Sequence, residues 1–123
     1  MVKHLLLVGL GGAVGSIARF LIQKYLHQNF PDPFPMGTFL VNITGCFFVG
    51  IMYGLAANYA LFTNEARLLL MAGVCGGFTT FSAYTLESLA LVEQQRYTTF
   101  LLYLTGSVVV GLIATFAGAW LTK

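Results

Sequence analysis

The chain has very little charge. Of its 123 residues, six are basic and four are acidic, which is 8% of the chain, whereas an ordinary soluble domain carries about 25%. At the same time, 58% of its residues are apolar. Ten charges are too few to cover a globule of this size, because so short a chain leaves much of its surface in contact with its surroundings. A soluble globular protein is therefore excluded, and a lipid bilayer is the expected environment.

The basic residues and the cysteines give no sign of nucleic acid binding, of a disulfide framework or of a zinc site. The six basic residues are scattered, so the basic stripe that binds nucleic acid is missing and we expect no nucleic acid partner. The cysteines, Cys46 and Cys75, lie inside apolar runs without paired spacing or neighbouring histidines, so there is no sign of a disulfide framework or a zinc site. We expect both to be small core residues.

Four long apolar runs are present, at about residues 5–23, 37–57, 67–92 and 98–121. Each is long enough to cross a bilayer, which takes about 20 helical residues. We predict an all-α protein of the cell membrane, with residues 1–123 forming one four-helix transmembrane domain and both termini on one side. A cleaved signal peptide would also fit the basic flank of the first run, but the rest of the chain argues against it. All three prolines lie in the linker His27 to Pro35, which predicts a stiff interfacial cap.

The predicted bundle carries equal positive charge at its two ends. Three basic residues lie on the side of the termini and three on the other: Lys3, Arg67 and Lys123 against Arg19, Lys24 and Arg96. Because an excess of Lys and Arg on one side sets the orientation of a membrane protein, a balanced chain has no electrostatic reason to insert one way only. We predict dual topology; a single orientation set by a partner or by the first loop is the alternative.

Glycines mark both close packing and a weak point. The pairs Gly11/Gly15 and Gly50/Gly54 have the spacing that lets membrane helices approach closely. The third span contains three glycines and a hydroxyl cluster near its middle, from Gly73 to Ser82, where helix is weakest. Unwound backbone at membrane depth persists only where it meets protein, water or ions; free carbonyls suit a hard cation, and the half-helix that begins near Ser82 points a positive end inward. A continuous helix with a close-packing glycine face is the alternative.

Polar side chains recur at helical spacing in two other spans. Thr38 lies one turn before Asn42 in span two, and Tyr103 lies one turn before Ser107 in span four. Together these groups could line a path, and individually each could be an interhelical hydrogen bond.

Arg19 and Glu87 approach the same side of the membrane, because spans one and three run in the same direction. For these two we favour an ion pair or separate snorkelling over a transport role.

Three functional classes remain. A small four-helix exporter of drugs or guanidinium compounds shares the length and the dual topology, but it needs a central carboxylate in span one, and this span has none. A non-transporting assembly subunit would explain the glycines but not the polar stripe. A protein whose polar side chains line a path accounts for both.

Three motifs together resemble the Fluc (CrcB) family of fluoride-specific ion channels. They begin at Gly12 (GAVGSIARF), at Gly37 (GTFLVN) and at Gly73 (GVCGGFTTFS), and the similarity covers all four spans in length and order. The resemblance implies a passive channel that exports fluoride from the cytoplasm and reduces fluoride toxicity, and that is not an enzyme. It also implies an antiparallel, dual-topology homodimer with two pores, a broken third helix and a structural sodium ion on the two-fold axis.

The resemblance also implies particular site residues. It assigns the sodium to backbone carbonyls of Gly76 and Thr79 of both subunits. It assigns the fluoride path to the following side chains: Asn42, Phe81, Tyr84, Tyr103, Ser107 and Thr38. Tyr84 stands where the family usually has phenylalanine, and Gly111 stands where it often has serine. Arg19 and Glu87 match common family positions as further candidates.

Overall fold

The computed structural model describes residues 1–60 and 62–122, and in this part of the chain four long helical segments form one bundle. Helix α1 is Val2–Asn29 and helix α2 is Met36–Asn58. The third segment, α3, covers residues 64–78, and α4 is Phe81–Glu93. Helix α5 is Tyr97–Leu121. Lys123, counted above among the basic residues of the terminal side, lies outside the described residues.

The third membrane crossing is irregular. Between short α-helical ends, Arg67–Cys75 is wound as a π-helix, a rare form that is frequent at functional sites. Helix ends after Phe78, because Thr79 and Thr80 both have extended backbone angles (ψ 154° and 119°). Helix resumes at Phe81, where the Thr80 hydroxyl accepts a hydrogen bond from the Ala83 N–H (3.2 Å) and caps the new N-terminus.

Glycines bring the helices into backbone contact. A Cβ atom at Gly11 would overlap the Leu69 carbonyl, and one at Gly50 would overlap the Thr115 carbonyl. The first contact joins α1 to α3 and the second joins α2 to α5. The close packing predicted from the glycine spacing is confirmed, and it fixes the helices around the break.

Both described ends of the chain lie at the same end of the bundle. Lys3 is 3.8 Å from the Glu65 carboxylate at the start of α3, and Asn58 at the end of α2 donates to the Thr122 carbonyl (3.0 Å). At the opposite end, the linker between α1 and α2 is held by a turn in which the Asp32 carboxylate accepts from the Phe34 N–H (2.9 Å).

The outer surface of the bundle is apolar. Four segments of the described chain are long and apolar enough to span a membrane: Val2–Asn29, Met36–Asn58, Asn64–Glu93 and Tyr97–Leu121. Large side chains such as Leu10, Ile113 and Trp120 are exposed. Exposing these apolar side chains to water would be unfavourable, whereas contact with lipid chains carries no such penalty. The protein is therefore an all-α, multi-pass membrane protein, as predicted.

Candidate functional site

A groove of about 410 Å³ opens beside the helix break. It is lined by residues of α2, α3, α4 and α5, and its walls include seven of the residues discussed here: Asn42, Gly76, Thr79, Thr80, Phe81, Tyr84 and Ser107. The structure therefore brings four of the six predicted path residues together beside the glycine-rich segment, whereas Thr38 and Tyr103 lie outside this lining.

Asn42 on α2 forms two hydrogen bonds with the extended backbone between α3 and α4. Its Oδ1 accepts from the Thr80 N–H (2.8 Å), and its Nδ2 donates to the Thr80 carbonyl (3.0 Å). One side-chain amide thus satisfies both backbone groups of an extended residue at membrane depth, where unpaired groups are costly. A second hydrogen on Nδ2 remains available for another acceptor.

Two side-chain caps leave two carbonyls without their helical partners. In a regular helix the Gly76 carbonyl would accept from the N–H of Thr80, and the Thr79 carbonyl from the N–H of Ala83. Here the Thr80 N–H is taken by Asn42 and the Ala83 N–H by the Thr80 hydroxyl. Both carbonyls belong to residues that line the groove. Carbonyl oxygens are the ligands that hard cations such as sodium prefer, so these residues fit a hard cation.

Arg19 reaches the break from α1. Its Nε donates to the Gly77 carbonyl (3.1 Å), near the C-terminal end of α3, where the helix dipole is negative. Of the two alternatives expected for Arg19 and Glu87, an ion pair or separate positions, the ion pair is not formed in the described residues, in which the only carboxylate ion pair joins Lys3 and Glu65. The backbone carbonyl is the nearer acceptor because the close approach of α1 and α3 brings Gly12 and Gly77 into contact.

Three aromatic rings contact one another in series, from Phe81 and Tyr84 in the groove to Tyr103, which lies outside the groove lining. The Phe81 ring is 5.8 Å from the Tyr84 ring, which meets Tyr103 edge-on at 5.0 Å. Tyr84 is buried and its hydroxyl donates to the Leu104 carbonyl (2.7 Å), which orients its ring. Phe81, by contrast, is 76% exposed in the single chain.

A second polar cluster lies toward the linker end. The Thr38 hydroxyl donates to the Glu87 carboxylate, and Gln23 Nε2 donates to the Thr38 oxygen (2.9 Å). These three residues line a cavity of about 310 Å³, together with His27 and Asp32. Thr38 and Glu87 are thus brought together.

Tyr103 connects the two regions. It is fully buried, and its hydroxyl has no hydrogen-bond partner anywhere in residues 1–60 and 62–122. Its ring contacts Tyr84, which lines the groove, and Phe34, which lines the cavity at the linker end. Ser107, one turn further along α5, is half-buried and lines the groove.

Two residues of the site were not foreseen from the sequence. Thr80 supplies both the cap of α4 and the backbone held by Asn42, and the hydroxyl cluster marked its position without indicating this role. Gln23 was missed because it falls at the end of the first apolar run, where a polar residue is ordinary.

Cys46 and Cys75 are free thiols; Cys75 is buried, and Cys46 is only half-buried.

An apolar bundle with an interrupted third crossing and a groove of neutral donors defines a class, that of small multi-pass membrane proteins. The chain belongs to the CrcB family: the model of the CrcB-like protein, Camphor Resistance (CrcB), matches residues 6–119.

Its relatives include three proteins named Fluoride-specific ion channel FluC. The one from Phocaeicola vulgatus is 42% identical over 121 residues, which is 98% of this chain and 99% of the relative. The one from Prosthecochloris aestuarii is 45% identical over 118 residues (96% and 91%), and the one from Aquifex aeolicus is 41% identical over 111 residues (90% of each). Because these relatives are named as channels, the prediction that the chain is not an enzyme is confirmed.

Proposed function

We propose that this protein is a fluoride-selective, passive channel of the cell membrane, through which fluoride leaves the cytoplasm and fluoride toxicity falls. The observation that carries the proposal is the groove beside the break, whose described lining contains neutral hydrogen-bond donors and aromatic rings and neither lysine nor arginine. The relatives named as fluoride channels support the choice of ion.

The chemistry of fluoride matches this lining. Fluoride is small, strongly hydrated and a powerful hydrogen-bond acceptor, so leaving water is costly unless donors replace the hydration shell. In the groove, Asn42 and Ser107 can supply an N–H or O–H, and the edge of the Phe81 ring carries a positive partial charge. Beyond the groove lining, Tyr103 can supply a further O–H. A fixed ammonium or guanidinium group would bind the ion too tightly to release it. Weak neutral donors in series let it enter and leave.

The aromatic contacts suggest the order of the path. The ion passes Phe81 and Tyr84 in the groove, then follows the α5 stripe of Ser107 and Tyr103 toward Thr38. The N-terminal end of α4 adds a positive partial charge beside Phe81. Chloride gains less from compact donors and needs more width, so the same path disfavours it.

We further infer that the carbonyls of Gly76 and Thr79 hold a structural sodium ion. Their loss of helical partners supports this assignment, because a desolvated carbonyl at membrane depth needs a compensating charge or donor. Two oxygens per chain make an incomplete site, and a second chain related by a two-fold axis would supply two more. The bound ion would supply fixed positive charge between the subunits, while the two carbonyls of each chain orient it.

The incomplete sodium site also leads us to propose an antiparallel homodimer. Phe81 is exposed and lines the same groove as Gly76 and Thr79, so a second copy placed over this groove would cover all three residues. Balanced basic residues at the two ends of the bundle permit a partner of opposite orientation. The remaining apolar surface is left for lipid.

Fluoride efflux from proteoliposomes tests the function. Vesicles that contain the purified protein are loaded with fluoride, with chloride or with a cationic dye, and potassium permeability is provided by an ionophore. We expect rapid release of fluoride and little release of the other two. Release of the dye driven by a proton gradient would instead identify the small multidrug or guanidinium exporter, and release of nothing would identify a non-transporting subunit.

A further inference from the structure

Two neighbouring cavities lie at the end of the bundle that carries the chain termini. The smaller, of about 180 Å³, is called here the Arg67 cavity, and the larger, of about 410 Å³, the Trp120 cavity. The Arg67 cavity is lined by residues of α2 and α3: Tyr53, Ala56, Ala57, Arg67 and Met71. The Trp120 cavity is lined by residues of α2 and α5: Tyr53, Gly54, Ala57, Asn58, Ala119 and Trp120. Because Tyr53 and Ala57 line both cavities, the two form one cleft.

The Trp120 cavity has the character of the boundary between hydrocarbon and headgroups. A Cβ atom at Gly54 would overlap the Thr122 hydroxyl, so α2 and α5 are in contact at this level. The two large side chains of the lining, Tyr53 and Trp120, are 65% and 71% exposed. Tyrosine and tryptophan are enriched where a membrane protein crosses this boundary. The cavity therefore suits an acyl chain whose headgroup lies beside it.

The Arg67 cavity adds a positive charge that no carboxylate compensates. Glu65, two residues before Arg67, is 3.8 Å from Lys3, and this is the only carboxylate ion pair in residues 1–60 and 62–122. In the same part of the chain, the Arg67 guanidinium makes one hydrogen bond, from Nη2 to the Ala56 carbonyl (3.5 Å), which is too long to be strong. Its other N–H groups are left for a ligand, and their planar fork matches the oxygens of a phosphate group.

We propose that this cleft binds an anionic phospholipid, with the phosphate on Arg67 and one acyl chain in the Trp120 cavity. Basic pockets between membrane helices bind anionic headgroups in this way. A zwitterionic lipid also has a phosphate, but its own ammonium group cancels the charge that attracts it to Arg67. The inference is independent of the ion that the protein conducts.

The test uses the fluorescence of Trp120, which is the only tryptophan of the chain. The purified protein is reconstituted in mixtures of phosphatidylcholine and phosphatidylglycerol in which one lipid carries bromine on its acyl chains, because bromine quenches a tryptophan that it contacts. We expect phosphatidylglycerol to bind about fivefold more tightly than phosphatidylcholine, since one basic residue near an anionic lipid contributes about 1 kcal/mol.

Two variants separate Arg67 from the general charge of the protein. Arg67→Gln is expected to bind both lipids equally. Arg96→Gln, which removes the same charge just before α5 at the opposite end of the bundle, is expected to keep the preference. Arg67→Met serves if Arg67→Gln fails to assemble, as judged by size-exclusion chromatography. No preference in the parent, a preference that persists without Arg67, or equal loss in the Arg67 and Arg96 variants would overturn the proposal.

The same measurement identifies other occupants of the cleft. If a second copy of the chain covered it, neither lipid would quench Trp120. If the site bound free phosphate esters, water-soluble glycerol 3-phosphate would compete with phosphatidylglycerol and reduce its quenching. Either result would overturn the proposal, and we expect strong quenching that glycerol 3-phosphate does not change. Fluoride flux plays no part in these readings, so their failure would leave the proposed function standing.

Discussion

Asn42 and Thr80 are joined by two antiparallel hydrogen bonds between one side-chain amide and one peptide backbone. The Thr80 N–H donates to Asn42 Oδ1 (2.8 Å) and Asn42 Nδ2 donates to the Thr80 carbonyl (3.0 Å). The side chain thus takes the place of a neighbouring strand, and extended backbone persists inside a helical bundle. The same bonds remove the helical partner of the Gly76 carbonyl, so one residue of α2 both stabilises the break and creates its free oxygen.

Replacing Asn42 with leucine is therefore expected to weaken both the fold and ion flow. Leucine has a similar shape but leaves the Thr80 N–H and carbonyl unpaired, which costs about 1 to 3 kcal/mol of unfolding free energy. Fluoride efflux per folded dimer falls as the break rearranges. Thermal unfolding in detergent and efflux from vesicles measure the two effects.

Asn58 provides the matched control. It also donates to two backbone carbonyls, those of Gly54 and Thr122 (3.0 Å each), at the end of the bundle that is remote from the groove. Asn58→Leu is expected to lower stability without slowing efflux per folded dimer. Equal loss of efflux in both variants would mean that Asn42 acts through stability alone.

Phe81→Ile is expected to slow fluoride efflux by about tenfold or more, because isoleucine fills a similar volume without the positive ring edge. Dimer formation is expected to change little. The control is Phe116→Ile, which removes a similarly exposed ring (69% against 76%) from α5, outside the groove lining. If purified Phe81→Ile conducts like the parent, Phe81 is a packing residue and the path is misassigned.

Sodium is expected to stabilise the dimer. If the carbonyls of Gly76 and Thr79 bind it, purification with a much larger organic cation in place of sodium removes the compensating charge from four oxygens. The dimer should then dissociate at a lower temperature, and sodium should restore it. Multi-angle light scattering during heating, with and without sodium, measures this. A dimer indifferent to the cation would mean that water or protein satisfies the carbonyls.

The chain is expected to insert in both orientations. In a cysteine-free version, a single cysteine added after Lys123 should react with a membrane-impermeant maleimide from outside in about half of the molecules, and the rest should react only after the membrane is opened. Reaction from one side alone would contradict dual topology. Adding two lysines at one end is the control, because it should bias the ratio.

The features of the fold that depend on composition could be predicted from the sequence. Four apolar runs give the four helices, since a span needs about 20 apolar residues whatever it packs against. Glycine spacing gave the close contacts of Gly11 and Gly50, because only a missing Cβ allows backbones to meet. The run from Gly73 to Ser82 marked the segment of weakest helix by the same local argument.

The pairing of polar groups could not be predicted in this way. The direction of their helices placed Arg19 and Glu87 on the same side of the membrane but left open whether they pair; Arg19 donates to the Gly77 carbonyl, a partner that depends on how closely α1 and α3 pack. Gln23 reaches Thr38 only because Gly37 brings α1 and α2 together. Such contacts depend on the packed bundle, and a single sequence carries no distances between helices.

The central claim is that fluoride flows passively and selectively through this protein, and the reversal potential tests it most directly. In a planar bilayer with a tenfold fluoride gradient and equal chloride on both sides, the account predicts a current that reverses about 59 mV from zero, at the fluoride equilibrium potential. A pH gradient imposed across the same bilayer should not move it. A reversal near zero would show that chloride carries the current, and a reversal that follows the proton gradient would show coupled transport.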